Sequence, residues 1–494
     1  MSGNGITRRY FFFGSLLAGT MPAQGFRSIA SLKAMGYESP NEKLNVASIG
    51  AGGRAAADIA GVAKTENIVA LCDVDEKRAA RTFAKYSKAP KYKDFRVMLD
   101  KENKNIDACI VAIPDFMHAT VAMHAMERGK HVYVEKPLAH TVWECRKLQQ
   151  AANKYKVATQ MGNQGYSTEG TRQCAEMIWS GVIGNVTEVH AWTNRPVWPQ
   201  GLTNLPPTGP VPSYLDWNLW LGIQSERQYR PAYLPFSWRG FFDFGDGALG
   251  DMACHALGAP NMALRLTAPT HVELVKLEGA SKYYYPNKAV IRFDFPARGN
   301  FPPVKVYWHD AMKHAPSIPG VPKDAILGDL PPSRQPRHSV MSNVEPRERQ
   351  IIGGVFDAQA YFHPHAVPHA SGDASSSSNG ALFVGDKGFI TTGHTGQWTR
   401  LIPVDRMKEY QFPPEVIPRS PGHYADWIRS AKGGAPACSN FNVSAPLSEL
   451  VILGTVAIRC QGGLDWDSED MRITNNEEAN NLLSPTFREG WTLS

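Results

Sequence analysis

The stretch from Leu44 to Asp75 constrains this chain more than any other. NVASIGAGGRAAADIAG followed by NIVALCDVD reads as an apolar strand, a glycine turn, a helix and a second strand, the first half of a dinucleotide-binding βαβ unit. Gly50 permits the tight turn, and Gly52 lets the backbone approach a pyrophosphate. Ala55 stands where G-x-G-x-x-G/A asks for a small residue between helix and strand. Gly53 and Arg54 open the helix whose N-terminal N–H groups would face the phosphates. The second strand ends at Asp73, where a carboxylate can accept both ribose hydroxyls and would repel a 2′-phosphate. NAD is therefore expected in preference to NADP.

The alternation continues. DACIVAIP, from Asp107, is a strand of consecutive apolar residues, as in a parallel sheet covered on both faces, and Pro114 stops it. Asp115 reads as the N-cap of a helix over FMHATVAMHAMERG that closes at Gly129, and HVYVEKP is the next strand. Helix TVWECRKLQQAANKY and strand KVATQMG complete a doubly wound Rossmann domain over residues 44–164, with its ligand expected at the carboxyl ends of the strands. Pro114, Glu135, Lys136 and Asn163 fall at that edge and, with His118, are the expected cofactor contacts.

After Gln164 the pattern changes. A helix, TEGTRQCAEMIWSG, leads to strand NVTEVHAWTNR and to a Pro/Gly/aromatic loop reaching about Phe244. HVELVKLEGA, AVIRFDFPA, VKVYWHD, GALFVGDKGFITTG and TRLIPV then alternate apolar with polar residues, the mark of an antiparallel sheet with one wet face. The expectation is an α/β chain: a parallel Rossmann sheet, then a C-terminal α/β domain with a large, mostly antiparallel sheet over residues 165–465 and a tail over 466–494. A polar loop insertion is expected at about 313–380. Its His363, His365 and His369 alternate with prolines and lack a matching carboxylate, so no metal is expected.

A chain of 494 residues exceeds what one core usually organises. The net charge of +6 is spread without basic runs, which argues against a nucleic-acid partner. At the amino end, Thr7, Arg8 and Arg9 precede YFFFGSLLAGTM, an apolar run too short to span a bilayer comfortably. Residues 1–30 therefore read as a twin-arginine signal, cut after Ala23 or Ala30, on a periplasmic or otherwise exported protein with no stable membrane insertion after processing. Seven cysteines, odd in number and without a C-x-x-C pair, suggest buried thiols rather than a disulfide framework.

Two constellations carry chemistry. In GALGDMACHALG, Asp251 and His255 are four apart, on one helix face, where the carboxylate could orient a histidine acting as general base. Lys136, between Glu135 and Pro137 at a strand end, could place an ammonium beside a substrate hydroxyl. Among the many aromatic residues between 192 and 244, Trp198 is the favoured sugar-stacking ring, with Trp238 and Arg239 beside Asp251 and His255 as further expected substrate contacts.

Together, IGAGGR, CDVD, AIPDFMH, VEKP, MGNQ, WPQG, DWNLWLG, WRGFFDFGDGALGDMACH and LDWD to EANNLLSPTFREGWTL resemble the Gfo/Idh/MocA family of glucose-fructose oxidoreductase and inositol dehydrogenase. The resemblance implies a Rossmann domain, a C-terminal α/β domain and frequent homo-oligomerisation through its sheet. It maps the motif lysine onto Lys136 and the D-x-x-x-H pair onto Asp251 and His255. Ala55, where many relatives have glycine, is a departure. The expected chemistry is hydride transfer from a sugar carbon to nicotinamide, with His255 taking the hydroxyl proton, Asp251 orienting it and Lys136 stabilising alkoxide charge. An exported enzyme would keep its NAD bound. Two enzyme readings follow, a sugar oxidoreductase and a redox-neutral glycosidase or lyase that oxidises its substrate transiently; a non-catalytic sugar- or nucleotide-binding protein is the third reading.

Overall fold

The computed structural model describes residues 43–329 and 377–493, so the amino-terminal segment and His363, His365 and His369 lie outside the described residues. The first domain is a six-stranded sheet in the order β3-β2-β1-β4-β5-β6. Its strands are β1 (Asn45–Ile49), β2 (Asn67–Cys72), β3 (Lys91–Tyr92), β4 (Ala108–Val111), β5 (His131–Val134) and β6 (Thr159–Met161). All pair in parallel. Helices α1 (Arg54–Val62), α2 (Glu76–Lys85), α3 (Phe95–Lys101), α4 (His118–Glu127) and α5 (Val142–Tyr155) cover it. Every residue of β4 is buried, as its unbroken apolar run requires.

Register is what builds the site. Ile49 pairs with Cys72 and Val111, Val111 with Val134, and Val134 with Met161. The residues that follow each strand, including Gly50, Asp73, Glu135 and Gly162, therefore share one edge.

Asp115 departs from expectation. It begins a short 3-10 turn, Asp115–Met117, and makes no capping bond to α4. Its carboxylate accepts from the Asp246 backbone N–H at 3.3 Å, because the second domain brings that donor to the buried strand end.

The second domain begins with α6 (Glu169–Trp179) and centres on nine strands ordered β13-β12-β11-β7-β10-β9-β8-β14-β15. These are β7 (Val186–Trp192), β8 (His271–Glu278), β9 (Lys288–Phe295), β10 (Val304–His309), β11 (Gly380–Gly385), β12 (Gly388–Thr392), β13 (Arg400–Ile402), β14 (Leu464–Asp467) and β15 (Arg472–Ile473). Only β7 with β10 pairs in parallel among its described strands. Short helices α7 (Trp217–Leu221), α8 (Gly247–Ala256) and α9 (Gly258–Leu264) precede β8, while α10 (His423–Ala431) and α11 (Phe441–Cys460) follow β13.

Helix α11 is long and apolar enough to cross a membrane by length and composition, yet 83% of that apolar window is buried within the protein. It lies close on α8 and the sheet: a Cβ on Gly454 would stand 2.7 Å from Leu249 and 2.9 Å from Phe293. Its hydrophobicity is thus accounted for by the core.

The start of the expected loop insertion, residues 313–329, has no helix or strand, yet it packs on the sheet. Leu327 joins Trp192, Leu382 and Ile402 in a small apolar cluster, with Met312, Ile318, Val321 and Ala325 against it. The apolar residues among its prolines cover part of the sheet. The tail returns to the first domain, where Trp491 packs on Phe95 and under Arg96, and Leu483 accepts from the Trp143 N–H. All seven cysteines are free, five of them buried.

Candidate active site

The glycine turn is shaped by close approach. Gly50, at φ +90°, would place a Cβ 2.2 Å from the Ala112 carbonyl oxygen, and Gly52 would place one 2.4 Å from Arg78 Cγ. Asp73 Oδ2 accepts from the N–H groups of Ala51 (2.8 Å) and Gly52 (3.2 Å), and Oδ1 from that of Asp75 (2.9 Å). Asp73 thus holds the turn as well as standing at its rim. Burial pushes its carboxyl up, and these donors pull it back toward the charged form. A glycine-rich turn followed by a helix start at Arg54, with a carboxylate at the second strand end, fits a dinucleotide.

The other expected cofactor residues mostly brace this cradle. Arg54 Nε donates to Glu135 Oε1 (3.0 Å), and its Nη2 pairs with Asp58 (3.0 Å) and reaches the Tyr424 hydroxyl (3.2 Å). Glu135 also accepts from the Tyr133 hydroxyl and from Gln164. The first turn of α1 is therefore fixed to the end of β5. His118 is fully buried, its nitrogens 2.7 Å from the Pro137 carbonyl and 2.8 Å from that of Ile113. It ties the β4 and β5 loops together and acts on the cofactor edge through them. Asn163, also buried, donates to the Cys254 carbonyl (3.4 Å) and accepts from Ser439 (2.5 Å). Pro114 is half-buried beside this group.

At the same edge the two domains supply one charged cluster. Lys136 Nζ donates to the Asp251 backbone oxygen (2.6 Å) and to Oδ1 (2.7 Å), and Arg239 Nε donates to the same Oδ1 (3.2 Å). The Arg239 guanidinium lies 4.2 Å from the Trp238 ring centre and 4.4 Å from that of Phe236, so two aromatic faces hold it. Burial alone would raise the Asp251 carboxyl; Lys136, Arg239 and Arg195 instead hold it well below the usual carboxylate range. For His255 burial is the largest influence, reinforced by Lys136 and His394, and it drives the imidazole well below its ordinary value; Asp251 offsets only part of this. At neutral pH His255 is uncharged, and its buried Nδ1 has no hydrogen-bond partner among the described residues.

Two expectations are corrected here. Asp251 and His255 share a face of α8, but the carboxylate is engaged by Lys136 and Arg239 rather than by His255. Two cations outcompete a neutral imidazole for one carboxylate. Trp198 is a core ring: it is 5% exposed, its Nε1–H donates to Gln200 (2.8 Å), and it packs edge-on to Phe236. Trp238 is equally buried and supports Arg239.

Other groups escaped the sequence reading. Asp246, ahead of α8, forms an ion pair with His140 (Nδ1 to Oδ1, 3.2 Å) without a well-directed hydrogen bond. Against burial, Asp246 pushes His140 up to about 9. Burial and the Asp246 charge push Asp115 well above its ordinary value. Asp329 and His394 form a second pair, 2.7 Å apart. Proximity in sequence could have flagged Asp246, one residue before the GALGDMACH run, but no local spacing joins residues 329 and 394.

Residues 44–163 match the oxidoreductase family's NAD-binding Rossmann fold, and residues 173–275 its C-terminal α/β domain. Both segments match models of the Gfo/Idh/MocA family. The first is an NAD-binding domain, and the parallel sheet with its larger mixed partner is the family's architecture. Inositol 2-dehydrogenase of Salmonella typhimurium is 33% identical over 125 residues, which is 25% of this chain and 37% of that protein. A glycosyl hydrolase family 109 protein of Saccharopolyspora erythraea is 32% identical over 234 residues, 40% of this chain and 48% of its own length. The chain thus spans less than half the length of these curated relatives. The WlbA dehydrogenase of Bordetella pertussis, solved with NADH and UDP-GlcNAcA, superposes with a TM-score of 0.54 at 14% identity over 86% of this chain and 99% of that one, a likeness of fold.

Proposed function

We propose that the protein is an NAD-dependent oxidoreductase acting on a hydroxyl of a sugar or glycoside. The observation that carries this reading is the meeting of Lys136, from the carboxyl edge of the NAD-binding sheet, with Asp251 and α8 of the second domain. Bound NAD supplies the hydride acceptor. Lys136, fixed by two contacts to Asp251, holds a positive charge where alkoxide character develops. His255, kept neutral by burial, accepts the hydroxyl proton. Asp251 fixes the ammonium, and Arg239 shares that carboxylate.

A second reading, redox-neutral glycoside cleavage through transient oxidation, is favoured by the similarity to glycosyl hydrolase family 109 proteins. Incubating purified protein with a panel of glycosides while recording absorbance at 340 nm and released sugar separates the two. An accumulating ketosugar supports the oxidoreductase. A cleaved glycoside with NAD returned to its oxidised form supports the second reading. Neither signal with any glycoside removes both.

Export through Arg8 and Arg9 belongs to the same proposal, and so do retained NAD, a processed form without stable membrane insertion, and homo-oligomerisation. Outside the cytoplasm a cofactor that left at each turnover would not be replaced. Denaturation should therefore release NAD in near-equal proportion to chain; recovery of none defeats retention. Arg8→Lys with Arg9→Lys should leave active protein in the cytoplasm, and unchanged export defeats the twin-arginine route.

A further inference from the structure

Arg239 is held on three sides and open on the fourth. The Trp238 and Phe236 rings cover its two faces, their centres 4.2 and 4.4 Å from the guanidinium carbon. Nε donates to Asp251 Oδ1 at 3.2 Å, and Nη1 makes a long contact of 3.4 Å with the Phe236 carbonyl. Nη2 has no acceptor among the described residues, so the end of the guanidinium, where Nη1 and Nη2 lie side by side, keeps two N–H groups to give. The side chain is 20% exposed and its plane is fixed by the two rings, so that edge is both reachable and preset.

Charge is the second observation. Lys136 and Arg239 share one carboxylate oxygen, at 2.7 and 3.2 Å, and the three side chains are between 13% and 20% exposed. Two cations against one anion leave a positive charge in surplus, and Arg195 adds to the positive field at Asp251. The neighbouring acids do not cancel it: Asp246 is matched by His140 at 3.2 Å, and burial together with the Asp246 charge holds the Asp115 carboxyl toward its neutral form. The phosphates of a dinucleotide have other partners, the N–H groups opening α1 and Arg78, whose guanidinium a Cβ on Gly53 would strike. A largely buried charge without a counter-ion is costly, so a ligand that brings one is favoured here.

We propose that the open edge of Arg239 binds a carboxylate of the substrate, so that the sugar acted on is an acidic one, a uronic acid or a glycoside of one. The inference rests on the proposed action on a sugar hydroxyl and holds for either form of it. A planar carboxylate meets the planar fork of Arg239 with two parallel N–H···O bonds. Because Arg239 and Lys136 converge on the same Asp251 oxygen, a carboxylate on Arg239 anchors the sugar beside Lys136. A neutral sugar of the same shape leaves the fork unpaired, and a site built around charged donors rejects that loss strongly.

The test uses the NAD-loaded full chain, its Arg239→Gln and Arg239→Lys variants, and methyl glycosides of glucose, galactose and mannose configuration, each as the neutral sugar, the uronate and the 6-phosphate. Reduction of bound NAD is followed for each. In the configuration it accepts best, the wild type should favour the uronate over the neutral sugar by about 10²-fold in kcat/KM. Arg239→Gln should lower the uronate value by about that factor and the neutral one by less than about tenfold, which erases the preference. Arg239→Lys keeps the charge without the fork and should fall between. Equal losses on uronate and neutral sugar make Arg239 a brace for Asp251 and overturn the assignment, and preference for the 6-phosphate overturns the carboxylate. Should neither variant fold and hold NAD, the wild-type comparison decides alone: a uronate preference supports the site and its absence overturns it. Wild type that acts on neutral sugars at least as well as on uronates overturns this proposal and leaves the proposed function standing. Wild type that reduces its NAD with no member of the panel overturns both.

Discussion

Replacing Asp251 with asparagine tests whether this carboxylate acts through Lys136. The side chain is nearly isosteric and its amide oxygen can still accept, so the substitution removes charge more than shape. In the folded protein that charge strengthens two donations, from Lys136 at 2.7 Å and Arg239 at 3.2 Å. A hydrogen bond to a charged group is worth about 1.5–3 kcal/mol against about 0.5–1.5 for a neutral one, so two bonds lose roughly 2–3 kcal/mol together. If that loss appears in the transition state, single-turnover reduction of bound NAD should slow by about 30- to 150-fold. Such a loss is comparable to removing a catalytic group, and larger than a merely orienting carboxylate would give. A double-mutant cycle assigns it: Asp251→Asn should cost about half as much in a Lys136→Met background, where only the Arg239 bond is left to weaken, and should remain fully costly in a His255→Gln background. Rates within threefold of wild type, or coupling to His255 in place of Lys136, would refute the reasoning.

The neutral state of His255 gives a pH profile. As its folded value lies below the ordinary histidine range, the rate of NAD reduction should stay flat as pH falls through 6.5 and drop only below it; an acid limb at or above 6.5 contradicts the burial argument. Gly52→Ala would drive a Cβ to 2.7 Å from the Arg78 carbonyl oxygen, which backbone cannot cheaply yield. Overpacking of about 1–3 kcal/mol predicts NAD held about 5- to 150-fold more weakly, measured as cofactor recovered after dialysis. Asp310 is buried, accepts from Trp308 Nε1 at 2.5 Å, and is pushed by burial up to about 7. The folded state therefore holds a proton between about pH 4 and 7 that the unfolded state releases, and this residue's cost to stability is greatest above pH 7. Asp310→Asn should raise the melting temperature most at pH 8, and the gain, at most about 4 kcal/mol, should shrink toward pH 5; a gain that grows on acidification refutes the sign.

The Rossmann half was legible because its information is local. A run such as ACIV, apolar at every position, has no stable place except a strand covered on both faces, and a glycine turn between two such strands leaves few alternatives. GALFVGDKGFITTG similarly carries its own turn, and it folds as the β11–β12 hairpin. The packing of the stretch around Leu327 was not legible because prolines and glycines break any helical or strand period there, while its apolar residues find a sheet face supplied by β7, β11 and β13. No window of the sequence contains both sides of that contact.

The same distinction explains the site. Lys136, Asp251 and His255 stand out by motif, but which of them pair is decided by geometry between domains. Spacing of four puts Asp251 and His255 on one helix face and leaves open what else faces them. Lys136 arrives from a strand 115 residues earlier, and Arg239 from the turn before α8. Once both cations reach Asp251, attraction between full charges exceeds anything a neutral imidazole offers. Lys136 also disfavours charge on His255, so the arrangement that removes its expected partner keeps it able to accept a proton. The ion pair and the neutral base are consequences of one packing event. This is why Asp251→Asn should disturb Lys136 first, and why its effect on His255 should be a further lowering of the acid limb: the lost negative charge had offset part of the lowering of that imidazole.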